Sequence, residues 1–297
     1  MADNNTGALR TIRDFIRYGV TRLYNSKATF MHGYDNPVDE ASFLVLRLLE
    51  IPLEVEEKFL DCALTEDERV RVLNAINRRC DDLVPTAYLT HEWWLTGHVF
   101  YVDDRVLIPR SYIAELLEED LAPWVEDPDS VSSVLDMCTG SACLAILASA
   151  TFPWATVDCA DISPEALEVA RRNISDYGLE DIVTPYESDL FSALDGKTYD
   201  VIISNPPYVT QEAMDALPQE YRHEPSLALA AGDDGMDVVR RLMAQAKDHL
   251  NDGGIMIVEI GDGREAFEAI YPELPVMWLT TSGGDDQVFL VHKEDLP

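Results

Sequence analysis

Lysine is almost missing from this chain. Only 5 of its 297 residues are Lys, and the 22 Lys and Arg stand against 55 Asp and Glu, a formal net charge of −33. A surface this negative repels nucleic-acid backbones, so a broad duplex-groove binder is disfavoured and no direct nucleic-acid partner is expected. An acidic, Lys-poor coat also suits a saline habitat. Cysteine is sparse: Cys62, Cys80, Cys138, Cys143 and Cys159 contain no C-x-x-C pair and are odd in number. That argues against a disulfide framework and fits buried thiols in a reducing cytoplasm. The 6 His are scattered, so zinc-ligand spacing is absent and no metal is expected. No apolar run approaches the roughly 20 residues that span a bilayer. The polar, acid-containing start from Met1 to Phe15 does not read as a secretory signal. A cytoplasmic protein without membrane association is the expectation.

What is present is unevenly placed. Residues 1–92 carry a net charge of −5 and residues 93–297 carry −28, a step that suggests two domains. Leu9, Ile12, Ile16, Val20 and Leu23 recur at helical spacing, and Phe43, Leu46 and Leu49 follow the Asn36-Pro37 break. Thr65 and Glu68 form a capping-box pattern ahead of Val70, Leu73 and Ile76. These predict a helical bundle over 1–88. Residues 89–110 are rich in aromatic and β-branched side chains with turn signals at Gly97 and Asp103-Asp104, which predicts a hairpin linker. Its Trp93, Trp94, Phe100 and Tyr101 either stack a substrate or pack between domains. Residues 111–297 make the second domain, and from 131 its pattern alternates strand and helix. Strands are predicted at 134–137, 156–160, 183–186, 201–204, 255–260, 276–279 and 288–291, with helical patterns between most of them. Ser163-Pro164-Glu165 is a helix start. This alternation predicts an α/β fold, a doubly wound Rossmann-like sheet.

Three segments fall where strands should end, the edge at which open α/β sheets hold ligands. In Asp136-Met-Cys-Thr-Gly-Ser-Ala-Cys143 a strand ends near Asp136, a turn holds Gly140, and an apolar helix follows. Such a turn lets a ligand approach backbone amides, though Gly also serves there for folding alone. Asp161 ends the next strand, 21 residues past Gly140. That separation suits a carboxylate accepting from both hydroxyls of a ribose. Apart from the turn, it reads as one surface acid among many. The third segment is Ser204-Asn205-Pro206-Pro207-Tyr208. Two prolines stiffen it and remove two N–H donors. The Asn205 side-chain oxygen and the Pro206 carbonyl are then placed to accept both protons of a planar –NH₂ group, with the Tyr208 ring as a flat face. An ordinary proline-rich turn is the bland alternative.

Together these segments resemble class I S-adenosylmethionine-dependent methyltransferases that modify planar amino groups. A helical front, a hairpin, Val106-Leu-Ile-Pro-Arg110 and then the catalytic domain is similar to the layout of the protein-glutamine amide methyltransferases that act on translation proteins. The resemblance covers nearly all 297 residues. Pro109-Arg110-Ser111, Asp136-Met-Cys-Thr-Gly140, Tyr221-Arg-His-Glu-Pro225 and Gly283-Gly-Asp-Asp-Gln-Val-Phe289 look like the branch acting on large-subunit ribosomal protein three, a basic protein substrate, rather than the release-factor branch. The resemblance implies catalysis by Asn205, Pro206, Pro207 and Tyr208. It puts Asp136, Thr139 and Gly140 by the methionine part of S-adenosylmethionine, Asp161 on its ribose, and Ile162 and Asp189 at its adenine. Asp189 also reads as a cap for the following helix. Arg110, His223 and Glu224 are implied on the substrate side. Two departures stand out: Ala142 where relatives carry Gly, and Cys138 for the first glycine of the wider pattern. A nucleic-acid amino methyltransferase and a non-catalytic cofactor-binding module remain as rivals. The absence of a basic target-reading segment weighs against the first, and only Ala142 supports the second.

Overall fold

The computed structural model describes residues 6–30, 33–34 and 36–297. Residues 1–5, the beginning of the polar start and of the expected bundle, lie outside the described residues. The chain divides into two compact units: the residues up to Glu92 with Pro218–His223, and Trp93–Leu217 with Glu224–Pro297. From Trp93 onward the expected linker therefore belongs to the second unit.

In the first unit α1 (Ile12–Tyr24), α2 (Pro37–Leu48), α3 (Glu66–Asp81) and the short α4 (Thr86–Thr90) form the bundle. Reciprocal capping boxes open α1 (Thr11, Asp14) and α3 (Thr65, Glu68), and Asn36 caps α2 ahead of Pro37. These side chains satisfy amides that have no partner inside the helix. Ile12, Phe15, Gly19 and Leu23 make the buried stripe of α1. The bundle also holds a buried charge. Arg79 is 1% exposed. Its guanidinium pairs with Glu40 and reaches Glu220 at 2.8 Å. Glu220 also accepts from the amide and hydroxyl of Thr29, each at 2.8 Å. Two carboxylates on one guanidinium, with Thr86 donating to Glu40 at 2.6 Å, offset the cost of dehydrating the charges. Glu220 is 191 residues from Thr29 in sequence, which is why Pro218–His223 groups with the bundle.

The second unit begins with a hairpin, β1 (Trp93–Leu95) and β2 (His98–Phe100). Its aromatics mostly pack. Phe100 is buried on Tyr177, Trp93 donates to the Pro109 carbonyl at 2.8 Å, and the Tyr101 ring lies 3.4 Å from the Arg172 guanidinium; Trp94 is exposed. The short helix α5 (Ile113–Glu118) leads into a seven-stranded sheet. Its strands are β3 (Ser133–Met137), β4 (Thr156–Asp161), β5 (Val183–Glu187), β6 (Tyr199–Ser204), β7 (Leu250–Glu259), β8 (Met277–Thr281) and β9 (Gly284–His292). The order is β5-β4-β3-β6-β7-β9-β8. Pairing is parallel up to β7, and β9 runs antiparallel between β7 and β8. This is the doubly wound, Rossmann-like sheet expected from the sequence, with all seven predicted strands present.

Helices α6 (Cys143–Thr151), α7 (Pro164–Asp176), α8 (Gln211–Ala216), α9 (Asp237–Ala246) and α10 (Arg264–Ile270) complete the unit. Alternate strand residues face opposite layers. Val134, Val201, Ile203 and Ile257 join the core with α5, α6 and α7. Leu135, Ile202, Met256 and Val258 join the core with α9 and α10. Both faces are covered, so the open surface is the sheet's edge, where β3, β4 and β6 end. No described helix is long and apolar enough to cross a membrane.

Candidate active site

A cavity of about 190 Å³ opens at that edge. Gly140, Asp161, Ile162, Asp189, Asn205 and Pro207 all line it. Six of the residues singled out from sequence, on four different strand ends, therefore meet in one place. The reversal of strand order between β3 and β6 leaves the gap that they fill.

The Asp136–Cys143 turn is built on left-handed backbone. Cys138 (φ +62°), Gly140 (φ +55°) and Ala142 (φ +64°) all lie in the region that favours glycine. Both departures from the family pattern thus occupy positions where a Cβ costs backbone strain. Asp136 and Thr139 are not among the residues lining the cavity. Thr139 donates its hydroxyl to Asp136 Oδ2 at 2.5 Å, and the Ala145 amide in the first turn of α6 donates to the same oxygen at 3.0 Å. These two residues therefore close the turn onto its helix. Asp136 Oδ1 is buried without a partner among the described residues, and burial raises this carboxyl to about 7.

Asp161 accepts from the Gly140 amide and from the Ser163 amide, each at 2.9 Å. It fastens the glycine turn to the start of α7 while lining the cavity. Burial raises its pKa, and the amide donors oppose that rise. At the rim Arg241 Nη2 lies 2.8 Å from both oxygens of Asp189. That pairing places Asp189 toward α9, and the Ser188 side chain, not Asp189, bonds the Ala193 amide at 3.0 Å.

The segment after β6 is the most open in hydrogen bonding. Neither the Asn205 side chain nor the Pro206 carbonyl has a hydrogen-bond partner among the described residues. The loop is held by its flanks. Val209 and Ala231 exchange backbone bonds with residues 229 and 209 at 2.8 and 2.9 Å. The Tyr208 ring packs closely on Gly261, where an added Cβ would sit 2.6 Å from the ring. A side chain at Gly235 would sit 2.3 Å from the Tyr208 carbonyl. Both glycines are required by close approach, and both have positive φ.

The residues read as substrate-side are held by partners inside their own units. Arg110 forms a forked pair with buried Glu224, Nη1 and Nη2 each near one oxygen at 2.6 and 2.7 Å, and Glu224 also accepts from the Ile108 amide at 3.2 Å. This pair pins Val106–Arg110 inside the second unit. His223 falls in the first unit, with its ring nitrogen 2.9 Å from the Asp82 carbonyl. Sequence reasoning missed Glu259, Gly261, Gly235 and Arg241. A glycine just past a strand, as at Gly140, would have found Gly261; Glu259 ends β7 itself and carries no such mark. Among the described residues no group of three or more His, Cys, Asp and Glu is arranged to hold a metal.

A family model described as the methyltransferase small domain matches residues 116–221. The ribosomal protein uL3 glutamine methyltransferase of Bordetella pertussis is 53% identical over 296 residues, covering 100% of this chain and 99% of that one. That of Burkholderia pseudomallei is 50% identical over 295 residues, covering 97% and 96%. That of Neisseria meningitidis serogroup A is 49% identical, covering 97% and 95%. Among solved structures, a methyltransferase from Pyrococcus furiosus aligns with a TM-score of 0.48 at 20% identity, over 77% of this chain and 99% of that one.

Proposed function

The chain belongs to the ribosomal protein uL3 glutamine methyltransferase family, and from that premise we propose that it transfers a methyl group from S-adenosylmethionine to the side-chain amide nitrogen of a glutamine in uL3. The observation that carries this is the pair of unpartnered acceptors, Asn205 Oδ1 and the Pro206 carbonyl, beside the cavity edge. A primary amide offers two in-plane N–H donors, and this pair suits them.

The residues present fit the cofactor. Asp161 keeps lone pairs for two ribose hydroxyls after accepting two amides, since a carboxylate offers about four acceptor sites. Ile162, 49% exposed, and Leu227, 56% exposed, are apolar walls for a base. Gly140 and Cys138 bring the turn's backbone to the cavity on the methionine side. Asp136 and Thr139 act from behind by holding that turn. Asp189, oriented by Arg241, serves the adenine amino group.

When bound, S-adenosylmethionine supplies a methyl group already activated on a cationic sulfur. The protein's task is orientation. An amide nitrogen is a poor nucleophile because its lone pair is delocalised into the carbonyl. Asn205 and Pro206 hold both amide hydrogens, which turns the lone pair toward the cavity. Their partial negative charge also opposes the positive charge that grows on nitrogen. Positioning of this kind lowers barriers by several kcal/mol, about 7–11 in the best intramolecular cases. The Tyr208 ring supports the amide plane. No strong base is needed, because a methylated amide carrying the extra proton is very acidic and loses it to water. Arg110, His223 and Glu224 act on the substrate side by shaping the segments that flank the loop.

Purified protein is incubated with free uL3, release factors and labelled cofactor. Label on one glutamine of uL3 supports the reading. Label on release factors or nucleic acid instead overturns it, and no label on any supports a binding module.

A further inference from the structure

We propose, resting on the function just given, that Glu259 is a positioning residue for methyl transfer: its buried carboxylate ties the Tyr208 phenol to Ser111–Ile113 and so sets the ring against the amide-holding loop. Glu259 ends β7, one step past Val258, which pairs with Ser204. It therefore lies level with Asn205 on the neighbouring strand. It is 1% exposed and makes no ion pair among the described residues. A buried carboxylate without a cation is costly and is kept where its acceptor capacity is used.

Three donors converge on it. The Ser111 hydroxyl and the Tyr112 amide reach Oε2 at 2.6 and 2.8 Å, and the Tyr208 hydroxyl faces Oε1 at 3.4 Å. The last is long for such a bond. Close approach to Gly261 confines the Tyr208 ring, and close approach to Gly235 confines its carbonyl. Glu259 supplies the remaining constraint, at the hydroxyl. A glutamine there would turn an amide N–H₂ toward one of the donors.

Burial pushes the carboxyl up to about 7. The groups facing it are the phenols of Tyr208 and Tyr112, with the charges of Arg110, Glu115 and Asp262 close to those rings. Protonation adds a hydrogen among oxygens that must accept three, so the phenol loses its acceptor as pH falls.

The test measures kcat and KM on free uL3 across pH for the full-length protein, Glu259→Gln, Tyr208→Phe and the double variant. Glu259→Gln is expected to lower kcat about tenfold with the cofactor KM within about twofold. The acid-side fall of kcat seen in the unaltered protein should vanish in both single variants. The double variant should be no slower than the slower single one, because the two act through one link. Tyr208→Phe adds no buried charge and decides the matter if Glu259→Gln fails to fold. Independent, multiplying losses overturn the proposal, as does an unchanged pH profile in Tyr208→Phe. If the unaltered protein labels a release factor instead, the substrate reading fails and the same comparison is made on that substrate.

Discussion

Asp161→Asn separates cofactor binding from chemistry. The wild-type carboxylate accepts from two backbone amides at 2.9 Å, Gly140 on one oxygen and Ser163 on the other. Its remaining lone pairs are those assigned to the ribose. Asn keeps the shape but converts one oxygen to an N–H₂ donor. Whichever way the amide turns, that donor faces a backbone N–H, so one turn bond and one ribose bond are lost together. A hydrogen bond to a charged acceptor contributes about 1.5–3 kcal/mol, and each 1.4 kcal/mol is tenfold in affinity. S-adenosylmethionine should therefore bind roughly 10–100-fold more weakly by calorimetry, with kcat at saturating cofactor falling only a few-fold. The carboxyl is raised by burial, so wild-type affinity should also fall with decreasing pH earlier than an ordinary Asp predicts, and the variant should lose that dependence. Affinity within about twofold of wild type, with folding intact by thermal melting, would falsify the ribose assignment.

Other substitutions probe separate parts. Asn205→Ala should cut kcat by about 10²–10³ or more, the scale of losing a preorganised polar group at a reacting centre; cofactor affinity should stay within a few-fold, and retained turnover would sink the mechanism. Arg79→Met leaves Glu40 and Glu220 buried without their cation and should destabilise the bundle by about 3–5 kcal/mol in urea unfolding; an unchanged midpoint would mean the cluster is hydrated. Burial raises the Asp136 carboxyl in the folded protein to about 7, above its ordinary value of 3.8. Its protonated form is favoured by folding, so its contribution is full below about pH 4 and lost as pH rises through about 7. Asp136→Asn should flatten the fall in melting temperature across that window, and an identical slope would count against the raised carboxyl.

The sheet was legible because most of its strands are rich in apolar and β-branched residues, and helix starts in both units carry caps, as at Ser163-Pro164 and Thr65–Glu68. The cavity was legible because Gly140, Asp161 and Asn205 each lie at or within three residues of a strand's end. Long-range pairing was not. Arg110 finds Glu224 across 114 residues and Glu220 finds Thr29 across 191, and nothing local to either acid marks its partner among 55 acids. The resemblance puts Asp136 and Thr139 by the cofactor's methionine part; in the structure the Thr139 hydroxyl bonds Asp136, whose carboxylate also takes the Ala145 amide in the first turn of α6. A motif locates a turn but not which side of it each side chain occupies. Ala142 was legible as an oddity, and its left-handed φ supplies the reason a glycine suits that position.

The charge bears on the substrate as well as on solubility. Residues 93–297 hold −28, and they include the whole cavity. A basic protein is drawn to such a field, whereas the same protein wrapped in ribosomal RNA presents phosphate and is repelled. Free uL3 should then be methylated with a kcat/KM that drops as salt rises from about 0.1 M to about 1 M, where the screening length shrinks from about 10 Å to about 3 Å. Assembled large subunits should be poor substrates at low salt. Steering acts on encounter, so kcat should hold while KM rises. If intact subunits are labelled as well as free uL3, or if salt lowers kcat alone, the acid is not there for recognition and its role is confined to the solvated surface.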